Sequence, residues 1–170
     1  YTYLENGKPA GIDITTGNLQ FHTSFFYDAQ DRCTQEIQIN TKTKKEIYKR
    51  TRTFDADGTI QSDSLKYTDG RLVLSSYNRQ GKLIEEKEYN KDVMLSSTVH
   101  QYDSKGNEIK SQYVLPLPKN PLPAQISSQT DVYEYDKYGY LVKIISTQIQ
   151  VSNEKRDCSQ YIAYDEYGNQ

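Results

Sequence analysis

The sequence predicts an all-β fold, an antiparallel meander of about 12 strands in one strongly curved or curled sheet. Three observations predict it. A Tyr-Asp-x-x-Gly unit recurs along the chain. The residues between the units alternate with period 2. No apolar stripe with helical spacing and caps interrupts them.

The units run in order as Tyr27-Asp28-Ala29-Gln30-Asp31-Arg32-Cys33, Phe54-Asp55-Ala56-Asp57-Gly58-Thr59-Ile60 and Tyr77-Asn78-Arg79-Gln80-Gly81-Lys82-Leu83. Tyr89-Asn90-Lys91-Asp92-Val93-Met94-Leu95, Tyr102-Asp103-Ser104-Lys105-Gly106, Tyr135-Asp136-Lys137-Tyr138-Gly139-Tyr140-Leu141 and Tyr164-Asp165-Glu166-Tyr167-Gly168 follow. A shorter copy is Tyr67-Thr68-Asp69-Gly70-Arg71-Leu72, and Tyr3-Leu4-Glu5-Asn6-Gly7 is a candidate for another. Asp or Asn opens a type I turn and bonds the backbone with its side chain. The later position that needs φ > 0 takes Gly without steric cost. The structural turn glycines are therefore Gly58, Gly70, Gly81, Gly106, Gly139 and Gly168. Asp31 is tolerable there, while Val93 is not, so that loop is expected to turn on Asp92. In this register the aromatic at position 1 faces the aliphatic at position 7, and each such pair stabilises the hairpin by roughly 0.2–1 kcal/mol.

Strand alternation is plain on either side of the turns. Leu19, Phe21, Thr23, Phe25 and Tyr27 share one face, as do Leu141, Lys143, Ile145, Thr147, Ile149 and Val151. One stretch breaks the rhythm. Residues 115–130 begin Leu-Pro-Leu-Pro-Lys-Asn-Pro-Leu-Pro and read as a Pro-rich connecting loop, because Pro cannot donate to a ladder. The whole chain, 1–170, reads as a single β-meander domain.

Composition sets the character of the interior. Leu, Ile, Val and Phe total only 35 of 170 residues, whereas Tyr alone supplies 16. Tyr is a large apolar body with a polar tip, so the core is expected to be aromatic and partly solvated. A net charge of −2 and a pI near 5.7 argue against a nucleic-acid partner. No apolar run approaches the roughly 18 residues of a transmembrane helix. The chain begins at Tyr1 rather than Met, which fits a removed export signal or an excised segment. The last unit stops at Gln170 before its position-7 residue, as in a domain that continues.

The copies at Tyr102, Tyr135 and Tyr164 resemble the YD repeat of Rhs-type bacterial proteins. The chain as a whole resembles small exported, uncharacterised proteins with loose copies of that unit. The resemblance implies a bacterial protein of the periplasm, cell surface or secreted fraction with a scaffolding or binding role. It implies no catalytic residues.

Candidate sites are few. Lys42, Lys44, Lys45, Lys49, Arg50 and Arg52 form the densest basic run, either a solvated strand edge or a site for an anionic partner such as a polysaccharide. Cys33 fills a position-7 slot and reads as a small hydrophobe. A disulfide to Cys158, 125 residues away, is the other reading and requires a sheet that curls back. Asp55-Ala56-Asp57-Gly58 matches the centre of a calcium loop but lacks its flanking acids, so it reads as a turn. His22 and His100 stand outside any metal-spacing motif, and no cofactor is expected. Tyr rings on a wet face would make stacking platforms for sugars or extended peptide. The favoured expectation is a non-enzymatic binding or scaffolding protein of the bacterial envelope, with a polysaccharide or another envelope protein as partner. A carbohydrate-active hydrolase and an apolar-ligand carrier on a curled sheet are the alternatives.

Overall fold

The computed structural model describes residues 1–116, 126–150, 152 and 154–162. Thirteen strands and no helix occupy these residues. They are β1 Thr2–Tyr3, β2 Pro9–Thr16, β3 Leu19–Tyr27, β4 Cys33–Asn40, β5 Glu46–Phe54, β6 Ile60–Tyr67 and β7 Arg71–Tyr77. Then come β8 Leu83–Asn90, β9 Val93–Tyr102, β10 Glu108–Val114, β11 Ile126–Tyr135, β12 Leu141–Gln150 and β13 Lys155–Tyr161. Each strand neighbours the next in sequence within one sheet, and nothing among the described residues pairs β1 with β13. This is the expected meander order. The connection expected over residues 115–130 is shorter than expected. Ile126–Thr130 already belongs to β11, because its Ser, Gln and Thr residues pair with β12 as readily as apolar ones would. Residues 117–125 and the unit at Tyr164, Gly168 included, lie outside the described residues.

The strands fall into two compact units. One comprises Tyr1–Leu83 with Glu88–Val93, the other Ile84–Lys87 with Met94–Gln170.

In the first unit the turn chemistry repeats copy after copy. The Asp28 amide donates to the Arg32 carbonyl and the Asp31 amide to the Asp28 carbonyl. Asp55 with Thr59 and Gly58, and Asn78 with Lys82 and Gly81, make the same two bonds. The side-chain Oδ1 of Asp28 then accepts from the amides of Gln30 and Arg32 at 3.0 and 2.9 Å. Asp55 and Asn78 do likewise with Asp57 and Thr59, and with Gln80 and Lys82. The fifth residue has positive φ in each, 63° at Asp31, 84° at Gly58 and 74° at Gly81. The ladder shifts register beside the Asp28 and Asp55 turns, so that Tyr27 faces Cys33 and Phe54 faces Ile60. That is a type I turn closed by a bulge. Tyr3 to Pro9 follows the same path, with Leu4 in place of Asp. In the second unit Asp103 and Asp136 build the same loop with Gly106 and Gly139, and Tyr135 faces Leu141.

The loops at the opposite strand ends differ. Lys91 and Asp92, at φ 46° and 67°, form a two-residue turn, which is how the chain accommodates Val93 as the first residue of β9. Gly17-Asn18 is another two-residue turn, which the repeat pattern did not mark.

Among the described residues no apolar side chain is fully buried. The buried side chains are polar: Thr23, Asp63, Ser75 and Gln150. Cross-strand neighbours within each unit cover the rings and aliphatics only in part, as the Tyr-rich composition predicts.

Two substitutions of opposite sign test the turn account. A Cβ at Gly58 meets nothing within 4 Å, so Gly58→Ala incurs only the backbone penalty. It should lower stability to urea by about 1–2 kcal/mol. Lys44 holds φ 57° with a Cβ, and Lys44→Gly should raise stability by up to about 1 kcal/mol.

Acid should undo the turns as well. Amide bonds from Arg32 hold the Asp28 carboxyl below its ordinary range, and those from Asn107 do the same for Asp103. A lowered folded pKa contributes stability that is present above the unfolded value and lost as pH falls through the folded one. Unfolding midpoints should therefore drop below about pH 4. Asp28→Asn with Asp103→Asn, which keeps the acceptor oxygen, should flatten that limb in thermal melts from pH 6 to 2.

Candidate binding surface

Period 2 divides β5 into two faces. Tyr48, Arg50, Arg52 and Phe54 share one, and Lys49, Thr51 and Thr53 the other. The register of the first unit extends the aromatic side into rows across the sheet. Thr23, Gln38, Tyr48 and Tyr67 are consecutive partners from β3 to β6. The adjacent row is Phe25, Glu36, Arg50, Leu65 and Val73. The third is Arg52, Asp63 and Ser75.

Charges in these rows compensate one another. Arg50 places Nε at 2.7 Å and Nη2 at 2.5 Å from Asp63 Oδ2. Arg52 Nη2 lies 2.7 Å from Glu36 Oε1, and its Nε reaches Asp63 Oδ2 at 3.5 Å. The Asp63 side chain is only 5% exposed, yet its Oδ1 is buried without a hydrogen-bond partner. The bond to Asp63 raises the already high Arg50 pKa further, so the guanidinium stays charged.

Rings border the cluster. Tyr48 and Tyr67 meet edge to face with centroids 6.1 Å apart. The Arg71 guanidinium sits 3.9 Å from the Tyr67 centroid. Burial pushes the Tyr48 phenol upward and nearby Glu36 adds to it, while a bond with Thr23 opposes both.

The six basic residues named from sequence thus separate. Arg50 and Arg52 are ion-paired on the aromatic face, and Lys49 lies on the other between Ile37 and Lys66. Lys42, Lys44 and Lys45 occupy the exposed loop after β4, where Lys42 Nζ donates to the Asn18 carbonyl at 2.8 Å. The pairing of Arg50 and Arg52 with Asp63 and Glu36 escaped the sequence reading. Its signal was the alternation of Arg-Thr-Arg against acids in the flanking strands.

Cys33 and Cys158 are free thiols, the first half-buried opposite Tyr27, the second exposed on β13. Asp55 holds its own turn with Oδ1, as the turn reading of that segment expects. His22 Nδ1 lies 2.8 Å from Asp13 Oδ1, and His100 Nδ1 2.5 Å from Glu108 Oε1. A hollow of about 200 Å³ lies against Asp55, Ile60, Tyr77 and Arg79, and one of about 240 Å³ against Asp13, Ile14, Gln20 and Phe21. Both are smaller than usual small-molecule pockets. Their acids, Asp55 and Asp13, are engaged by turn amides and by His22.

The ion-paired cluster should dominate local stability. Arg52→Leu strands Glu36 and leaves Asp63 with one guanidinium. It should destabilise the protein by about 3 kcal/mol, whereas Lys49→Ala should change stability by less than about 0.5 kcal/mol. Chemical denaturation of both variants checks the contrast.

No protein-family profile matches the chain, and no curated protein sequence matches it. Among solved structures, the chain aligns with the TcdB2-TccC3 structure at 16% identity over 86% of its length, with a TM-score of 0.40. It aligns with TcdB2-TccC3-Cdc42 at 16% identity over 87% of its length, with a TM-score of 0.35. In each case the chain spans only 9% of the other chain.

Proposed function

We propose that this chain is a non-enzymatic binding or scaffolding domain of the bacterial envelope, with a polysaccharide or another envelope protein as partner. The observation that carries the reading is the aromatic face of the first unit: half-exposed rings beside a cluster of paired charges on one face of the sheet. The resemblance of the turns to the YD repeat supports the envelope setting. Curling of the sheet belongs to the same proposal, since the bulges beside Tyr27, Phe54 and Tyr135 increase local twist.

The two alternatives find less support. A glycosidase needs one carboxyl to protonate the leaving group. Glu36 and Asp63 instead accept from guanidinium donors. A carrier needs a dry apolar lining, and no apolar side chain is fully buried among the described residues.

The test expresses the protein in its own cell, fractionates the cell, and sediments the purified chain with isolated envelope. Recovery in the envelope or secreted fraction, co-sedimentation and no turnover of a glycan panel are expected. Retention in the cytoplasm, or release of reducing sugar from any glycan, would overturn the reading.

A further inference from the structure

We infer that the aromatic face of the first unit is a neutral-carbohydrate site, with Asp63 Oδ1 accepting a sugar hydroxyl and Tyr48 and Tyr67 supporting the ring. The inference deepens the binding reading above and rests on it.

Four observations lead there. First, Asp63 Oδ1 is a buried carboxylate oxygen without a partner. Leaving such an acceptor unsatisfied is costly, so it calls for a donor. Second, Arg50 is the outermost member of the cluster, with a side chain 36% exposed against 5% for Asp63. In the proposed complex Arg50, which bonds Oδ2, turns aside to admit the hydroxyl to Oδ1 and stays within reach as a donor. Acceptor and donor then stand together, which suits the two hydroxyls of a vicinal diol. Third, Arg50 and Arg52 balance Asp63 and Glu36 in charge. Arg71 at Tyr67 adds one positive charge to the face, so the discrimination lies at Oδ1 itself, a carboxylate oxygen that accepts from a neutral hydroxyl and repels a uronate carboxylate. Fourth, the Tyr48–Tyr67 pair, backed by Arg71, adjoins the cluster with rings half-exposed. A sugar presents an apolar C–H face to such rings.

An extended peptide fits this surface less well. Peptides gain affinity by adding a strand to a sheet edge. Here β4, β5 and β6 each already have partners on both sides, so only side chains are offered.

The probes are neutral polysaccharides, namely an α-glucan, a β-glucan, a mannan and a xylan, with alginate as the anionic comparison. They are cast into native gels in which the purified chain migrates. Retardation is expected in at least one neutral gel and absent in alginate. Asp63→Asn should weaken retention about tenfold or more, with unchanged far-ultraviolet circular dichroism. Lys49→Ala, on the opposite face, should leave it intact. Should Asp63→Asn fail to fold, Tyr67→Ala carries the test and should abolish retention. Retention only in alginate, or retention indifferent to a folded Asp63→Asn or to Tyr67→Ala, overturns the site. No retention in any gel overturns the carbohydrate assignment, while co-sedimentation with envelope separately decides the binding reading.

Discussion

One oxygen atom per hairpin organises this fold. The Oδ1 of Asp28, Asp55, Asn78, Asp103 or Asp136 accepts from two backbone amides, two and four residues on. Those amides would otherwise face solvent inside a tight loop. Their capture fixes where the strand reverses, and the positive-φ residue fixes how it returns. Register matters more here than in a two-layer fold. A slip by one residue would exchange the two faces of every strand, and within each unit no fully buried apolar side chain among the described residues penalises the error.

Copies of the turn are also joined to one another. Lys8, the sixth residue of the first copy, donates to the Asp31 carbonyl at 2.5 Å and lies over the Tyr27 ring. Arg32, the sixth residue of the next, donates to the Asp55 carbonyl and lies over Phe54. The Tyr27 hydroxyl donates back to the Pro9 carbonyl, the seventh position of the copy before it. Within the second unit the Tyr135 hydroxyl does the same to Glu108. Tyr suits position 1 for this reason. Its ring covers the neighbouring hairpin, and its hydroxyl reaches an acceptor that Phe could not.

Much of this was legible in residue order. Strands, turns, the aromatic face and the loop at Asp92 all follow from alternation and from where Asp and Gly stand. The repeat period was harder to see. Taking every turn together gives irregular spacings, because turns at both strand ends are mixed. The units that follow odd-numbered strands begin at Tyr3, Tyr27, Phe54, Tyr77, Tyr102 and Tyr135, close to one hairpin per 25 residues until the Pro-rich stretch intervenes. The cluster at Asp63 was less legible still. Its four charges come from three strands, and only the register settled by the turns brings Glu36, Arg50, Arg52 and Asp63 onto one face. The basic run looked like a patch because sequence adjacency hides the alternation that parts Lys49 from Arg50.

The two kinds of turn divide the labour of the sheet. Where the Asp-centred turns recur, backbone bonds close each loop, and side-chain bonds tie the Tyr3 loop to the Tyr27 loop, that loop to the Phe54 loop, and the Tyr102 loop to the Tyr135 loop. The other strand ends carry loops of several sizes: Gly17-Asn18, the Lys-rich loop after Asn40, Thr68 to Gly70, and Lys91-Asp92. These are joined as well: the Thr41, Thr68 and Lys91 amides meet the Gln20, Ile47 and Gly70 carbonyls, and Lys42 Nζ reaches the Asn18 carbonyl. The faces, by contrast, are set by register, so a ligand held on rows such as Tyr48–Tyr67 and Arg52–Asp63 meets side chains whose spacing the turns have already determined. Without a fully buried apolar side chain among its described residues, the first unit still presents an ordered face, because bonded reversals fix its register.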